Sequence, residues 1–330
     1  MAAQAETPEV EATLPGRATG WRIVARKELA DHLLSVRFTI LILLVGLVAI
    51  ISIYSAASRL RDVAQGTANI PALFLALFTV SPQNLPLSFL RLIGIVAPLL
   101  GIAFGFDAVN GERSQGTLPR LVAQPIHRDD VINGKFAAGL TVIGIALVAV
   151  TLVVAGLGML RLGLVPTAEE IIRIVLWLAV TLVYVGFWLG VSILFSVVFQ
   201  RAATSALVTL AAWIVMAIFW GLMVGLVANA FAPQPAQPTQ AEILRNAVLE
   251  DRLGRLAPNR LYEEATIALL RPDQPAIGSI ILVSPQYQNA ELPLDQSLLV
   301  AWPQTVALVA LTLLCFAGAY ILFMRQEIRA

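Results

Sequence analysis

Of 330 residues, 58% are apolar and 13% charged, against about a quarter charged in a typical soluble domain. A mean hydropathy of +0.82 needs long apolar runs, so the composition excludes an ordinary water-soluble globule and indicates an all-α membrane protein. With 22 basic and 21 acidic side chains there is no positive field of the kind that phosphate contacts require, which excludes nucleic acid as a partner.

The first 20 residues carry Glu6, Glu9 and Glu11 against Arg17, with Pro8 and Pro15 and no apolar core. They read as a disordered cytoplasmic tail and not as a cleaved signal peptide. In residues 21–37, Trp21, Ala25, Leu29 and Leu33 recur every four positions, while Arg26, Lys27 and Asp31 fall elsewhere around the helix. That spacing predicts an interfacial helix anchored at the headgroups by Trp21; the plainer alternative is a positively charged flank before a membrane span.

A helix rises about 1.5 Å per residue and the hydrocarbon core is about 30 Å thick, so a span needs roughly 20 apolar residues. Six stretches qualify: Phe38 to Ala57, Leu92 to Val109, Phe136 to Leu160, Ile174 to Phe199, Ser205 to Phe231 and Thr305 to Met324. Arg22, Arg26, Lys27 and Arg37 precede the first, and Arg113, Arg120, Arg128 and Lys135 follow the second. With Arg201, Arg325 and Arg329, they place both termini on the cytoplasmic side by the excess of positive charge inside. The expected layout is spans one to five in residues 38–231, with a charged cytoplasmic loop at 107–135. An outward segment at 232–304 follows, then the sixth span and a cytoplasmic end at 305–330.

The outward segment opens on Pro and Gln. Thr239 and Glu242 then have the spacing of a capping box, which predicts a helix to Leu253. Asn259 is the expected cap of a second helix that stops before Pro272. Residues 275–303 are Pro-rich and read as packed loop with one strand in the run Ile280 to Val283.

Within the spans, Pro98 removes a helical hydrogen bond and marks a kink. Gly101 with Gly105, Gly186 with Gly190, and Gly221 with Gly225 are small-xxx-small pairs that permit close helix packing. Arg91, Asp107, Arg173 and Arg325 fall near span ends, where long side chains reach the interface.

Several chemistries are absent from the chain. Neither His32 nor His127 lies in an H-E-x-x-H, and no span holds a histidine or lysine to serve a nucleophile as base. Cys315 is the single cysteine, so there is no C-x-x-C pair, and Met159, Met216 and Met223 are too scattered for a soft-metal site. No metal site is expected. Gly134-Lys135 is followed by Phe136 and has Asp129 where a P-loop needs its first glycine, so nucleotide would have to be bound by another chain.

The informative segment is the loop from Phe106 to Phe136. Pro119 fits a first helical turn with Thr117 or Leu118 as cap, and Pro125 ends the segment, so a short helix is predicted over residues 118–124. Leu118, Leu121 and Val122 share one face, rimmed by Glu112, Arg113, Arg120, Arg128 and Asp129. Such a ridge either docks into a groove of a partner or lies on lipid headgroups.

At these residues the chain resembles the ABC-2 type permeases, the membrane subunits of a large class of ATP-binding-cassette transporters. The matching residues are Glu112, Gly116-Thr117-Leu118, Gln124-Pro125, Arg128 and Gly134-Lys135, together with Arg26-Lys27-Glu28-Leu29, which looks like the family's elbow helix. The six-span layout agrees, so the resemblance covers most of residues 21–330, and it is strongest to the branch serving nitrous-oxide-reductase maturation.

The resemblance implies a separate ATP-binding subunit, carrying ATP and Mg, that docks on the coupling helix within Glu112 to Asp129 and on the elbow. It implies no enzymatic activity and no cofactor in this chain. It also implies a second permease copy or paralogue in the lipid bilayer, with a pathway along spans two and five. Pro98, Ser205, Thr209, Trp213 and Trp220 are the expected lining residues. Export of a substrate across the plasma membrane is the main expectation. The alternative is a mechanical complex in which the outward segment acts on a periplasmic protein and nothing crosses.

Overall fold

The computed structural model describes residues 20–43, 45–47, 49–50, 54, 72–79, 88–117, 127–234, 237, 239–272, 276–277, 280–281 and 292–326. Over these residues the chain is helical, apart from an antiparallel pairing of Ala276–Ile277 with Ile280–Ile281.

Helix α1 (Gly20–Leu33) breaks at Leu34 and Ser35 and leads into α2 (Val36–Leu47). Ser35 makes the corner: its hydroxyl donates to His32 O at 2.7 Å and accepts from Phe38 N at 3.1 Å. Short α3 (Leu73–Thr79) is followed by α4 (Phe89–Gly105), which Ser88 caps by accepting from Arg91 N at 3.3 Å. Among the described residues, five helical segments are individually long and apolar enough to cross a membrane: α4 with its continuation to Ser114, α6 (Arg128–Leu162), α7 (Ala168–Val198), α8 (Ala202–Phe231) and α11 (Leu294–Arg325). The bent pair α1 and α2 makes a sixth when taken together. The protein is therefore a multi-pass, all-α membrane protein.

Local sequence explains the corners. Gly163 ends α6 in the left-handed conformation, φ 67°, and donates to Met159 O at 3.0 Å. Four residues on, Thr167 and Glu170 form a reciprocal capping box that starts α7. α7 is the centre of the bundle. Trp177, Val185, Leu189, Ile193 and Val197 on it are fully buried, and it packs on α4, α6, α11 and α10 (Pro258–Leu270). Span α8 is the most exposed; it contains a π-helical turn at Val215–Phe219 and presents Leu207, Ile218, Leu222 and Leu226 outward.

The spacing of small residues acts unequally. Gly101 and Gly105 bring α4 against the α7 backbone: a Cβ at Gly101 would lie 2.9 Å from Leu189 N and from Val185 O. Gly186 and Gly190 meet α6 and α11 at ordinary contact distances, and Gly221 faces open space. Only the first pair is a close approach that demands glycine.

Three expectations about residues 232–304 are revised. The capping box does start α9 (Gln240–Gly254), with Thr239 Oγ1 accepting from Glu242 N at 3.4 Å. Asn259, however, is not a cap. Helix α10 begins at Pro258 after Ala257, and Asn259 Oδ1 instead accepts from Tyr184 Oη at 2.8 Å, because Pro258 already suits the first helical position. Residues 294–304 are not loop but the first turns of α11, which runs through Pro303. Proline there removes one hydrogen bond in a helix held by neighbours, and so does not stop it. Nor is α10 a solvated outer helix. Leu261, Tyr262, Ala265, Ala268, Leu269 and Leu270 are buried, and the helix lies among α4, α7 and α11.

Candidate functional site

At the end of the bundle that holds α1, the chain leaves α4 through Asp107 and forms α5 (Asn110–Ser114) before the loop at 118–126. Gly116, at φ 66°, ends α5, and Thr117 closes the turn with its N–H on Glu112 O at 3.0 Å. The apolar ridge Leu118, Leu121 and Val122, with Arg120, Gln124 and Pro125, lies outside the described residues, as does any helix over 118–124. What is described is how both roots of that loop are fastened.

Lys135, about two turns into α6, is the fastening point. Its ammonium lies 2.7 Å from Glu112 Oε1 on α5 and 3.1 Å from Glu28 Oε1 on α1, with the lysine side chain 5% exposed. A buried ammonium between two carboxylates is satisfied in both charge and hydrogen bonds, which is the condition for such a group to be stable away from water. Lys27 joins the cluster at 3.5 Å from Glu28 and from Asp31. Burial alone would raise the Glu28 carboxyl, but Lys135, by charge and hydrogen bond, and Lys27 outweigh it and hold it below the ordinary range. For Lys27 burial is likewise outweighed, by Glu28, Asp31 and Glu112, so its ammonium titrates higher than usual. Burial lowers His32, against the partly compensating charge of Glu28.

The close seating of α1 on α6 has a steric cause. A Cβ at Gly134 would lie 2.6 Å from Val24 Cβ and 2.9 Å from Trp21 O, so glycine lets the helices touch. The buried face of α1 is Gly20, Val24 and Glu28, one row away from the expected Trp21, Ala25 and Leu29, which form the half-buried edge. Arg26 and Ile23 point outward.

Two further ties complete this end. Arg37 on α2 pairs with Asp107 at 2.6 Å and lies over the Phe106 ring. Gln326, just past α11, accepts from the Arg113 guanidinium, accepts from Arg128 Nη2 at its carbonyl at 3.1 Å, and donates to Val197 O at 2.6 Å. Ser196 Oγ accepts from Val109 N and Asn110 N at 2.9 and 3.2 Å. The loop roots are thereby linked to α1, α6, α7 and α11 at once. Asp129 is half-buried in the first turn of α6. A cavity of about 590 Å³ lies between α1, the end of α4 and α5, and both lysines of the chain, Lys27 and Lys135, face it. Among the described residues, Asn110 Oδ1, Glu112 Oε2 and Arg128 Nε, in α5 and at the start of α6, are buried without a hydrogen-bond partner.

Sequence reading found Glu112, Arg113 and Arg128 but missed Gln326, Asp107 and the role of Lys135. The available signal was composition: a chain with 22 basic residues spends its only two lysines at positions that converge here.

The expected pathway residues lie elsewhere. Ser205, Thr209 and Trp213 are buried on the inward face of α8, Pro98 is buried in α4, and Trp220 donates to Leu253 O at 3.2 Å. Among the described residues of one copy, Pro98, Ser205, Thr209 and Trp213 are packed and Trp220 is half-buried.

A family model described as ABC-2 family transporter protein matches residues 22–328. The chain is also similar to a Pseudomonas aeruginosa protein named "Probable ABC transporter permease protein NosY", at 30% identity over 181 residues, 54% of this chain and 56% of the relative. The match spans a little over half the length of that curated relative.

Proposed function

The chain belongs to the ABC-2 family of transporter proteins, and from that premise we propose that it is the permease subunit of an ATP-driven exporter in the plasma membrane, with both termini in the cytoplasm. A separate ATP-binding subunit, with ATP and Mg, docks on the coupling loop between Glu112 and Asp129 and on α1. A second copy or a paralogue completes the pathway, with α4 and α8 along it.

The observation that supports this reading best is the Glu28, Lys135 and Glu112 cluster. It fixes both roots of the loop to α1 and α6, so a displacement imposed on the loop is transmitted to the spans as a rigid-body movement. Reversing Arg120→Glu and Arg128→Glu is expected to release the ATPase on purification and abolish ATP-driven activity. Assembly and activity at the original level would overturn the reading.

A mechanical alternative draws on α10, which is packed among α4, α7 and α11 and so moves with them. In that case residues 232–304 relay the ATPase cycle to a periplasmic partner. ATP-dependent flux in proteoliposomes would exclude a purely mechanical role.

A further inference from the structure

At the opposite end of the bundle, α4, α10 and the π-helical turn of α8 enclose a cavity of about 340 Å³. That is within the range of small-ligand sites, roughly 300–1,000 Å³. Two guanidinium groups line it, Arg91 from the first turn of α4 and Arg271 just after α10. Among the described residues neither pairs with a carboxylate, whereas Arg173, Arg255 and Arg260 at the same end all do. Glu263 also lines the cavity but is turned toward Arg260, at 3.8 Å.

The wall between the two arginines is already ordered. Tyr184 Oη donates to Asn259 Oδ1 at 2.8 Å, and the Tyr184 ring stacks on Tyr262 with centroids 4.3 Å apart. A ligand entering here orders little that is not ordered beforehand. The rest of the wall is mixed: Ile95 of α4, Ile267 of α10 and Ala217 of the π turn are apolar, and Thr79, Ser88 and Thr266 add hydroxyl groups. Ile95 is also 39% exposed, so the apolar part of the wall is accessible from outside the core. π-helical turns recur at functional sites, and this one places a small side chain where a body of moderate width passes.

We propose that this cavity is a binding site for an amphiphile with an anionic head, a phosphate or carboxylate held by Arg91 and Arg271, its apolar body lying along Ile95, Ala217 and Ile267. Guanidinium pairs such oxyanions through two parallel N–H bonds. The proposal rests on the permease reading for the leaflet in which the site lies, the extracytoplasmic one; the binding itself does not depend on it.

The test is equilibrium binding of fluorescent phosphatidylglycerol to the full chain in phosphatidylcholine nanodiscs, without ATP. Saturable binding is expected, with labelled phosphatidylcholine failing to compete. Arg91→Gln and Arg271→Gln are each expected to weaken binding roughly tenfold or more, the loss of one charge-assisted contact, while Arg91→Lys retains part of it and Glu263→Gln tightens it. Displacement by millimolar inorganic phosphate would identify a free anion as sufficient; resistance to it would identify a lipid head as the source. Equal binding of the zwitterionic lipid, or unchanged binding in a folded Arg91→Gln, Arg271→Gln double variant, would overturn the site. Because no ATPase takes part, that result leaves the permease reading standing, and failure to recover an ATPase leaves the binding site standing.

Discussion

Lys135 Nζ lies 2.7 Å from Glu112 Oε1, a contact that joins α5 to α6 across 23 positions of sequence. Replacing Lys135 with Met leaves Glu112 without its cation and Glu28 with only the exposed Lys27 at 3.5 Å. The expected cost is about 3–5 kcal/mol, as for one partner of a buried ion pair removed. Thermal unfolding in detergent checks it, and the swap Glu112→Lys with Lys135→Glu separates charge pairing from shape. The swap should recover part of the loss at the Glu112 contact while placing a second carboxylate against Glu28, which keeps only Lys27.

Acid should loosen α1 in two stages. The folded value of His32 is below the ordinary 6.5, so the unfolded chain binds a proton there first. The stability it confers is complete above 6.5 and falls as pH drops below it. Glu28 is held below 4.5, so its contribution is complete above 4.5 and is lost as pH falls through its lower folded value. Glu28, Lys135, Asp107 and Asp31 all act on His32. Melting temperatures between pH 7 and 5 should decline in the parent and decline less in His32→Gln; equal slopes would remove His32 from the account. Lys27 acts at the alkaline side: its stabilisation is full below 10.5 and is lost as pH rises past its raised value.

Arg173 governs the other end. It is 2% exposed and donates to Glu169, to Leu269 O at 2.9 Å, to Leu292 O at 2.7 Å and to Ser297 Oγ at 3.0 Å. Each bond to a charged group contributes about 1.5–3 kcal/mol, so Arg173→Met should free the ends of α10 and α11. Hydrogen exchange is expected to rise in residues 258–270 and 292–300 before it rises in α7; uniform exchange across the chain would mean that the arginine merely stabilises the whole bundle.

Glycine positions should separate by what their missing Cβ would meet. Gly101→Ala and Gly134→Ala press on backbone at 2.9 Å and are expected to cost about 1–3 kcal/mol each. Gly221→Ala meets nothing within 4 Å and should stabilise α8 by about 0.5–1 kcal/mol through helix propensity. Melting temperatures of the three variants in one detergent decide this, and a similar loss in all three would refute the distinction.

Much was legible in the chain because membrane burial writes itself locally. Apolar runs of span length, the Thr239 and Glu242 capping box, and the positive flanks can each be read within about 20 residues, since hydrocarbon satisfies no backbone group and forces each run into helix. Pro303 misled for the same reason: a local rule marks it as a stop, while neighbouring helices support α11 through it. Arg173 misled as well. A charge near a span end suggests snorkelling, yet partners 96 to 124 positions away bury it.

By itself the sequence determined the class of the protein, the rough extent of five of its spans, the family to which the Glu112 to Lys135 segment points, and the lack of a P-loop motif, while the expected first span, Phe38 to Ala57, lies partly outside the described residues. These follow from composition, period and short motifs, which need no knowledge of what lies opposite. Tertiary structure alone decided that Glu28 and Glu112 share Lys135, that Gln326 ties Arg113 to Val197, and that α10 packs among the spans beside two arginines without carboxylate partners among the described residues. Charge pairing and cavity formation depend on distances between segments far apart in the chain, and those distances are set by close approaches such as Gly134 on Val24, which no local pattern encodes.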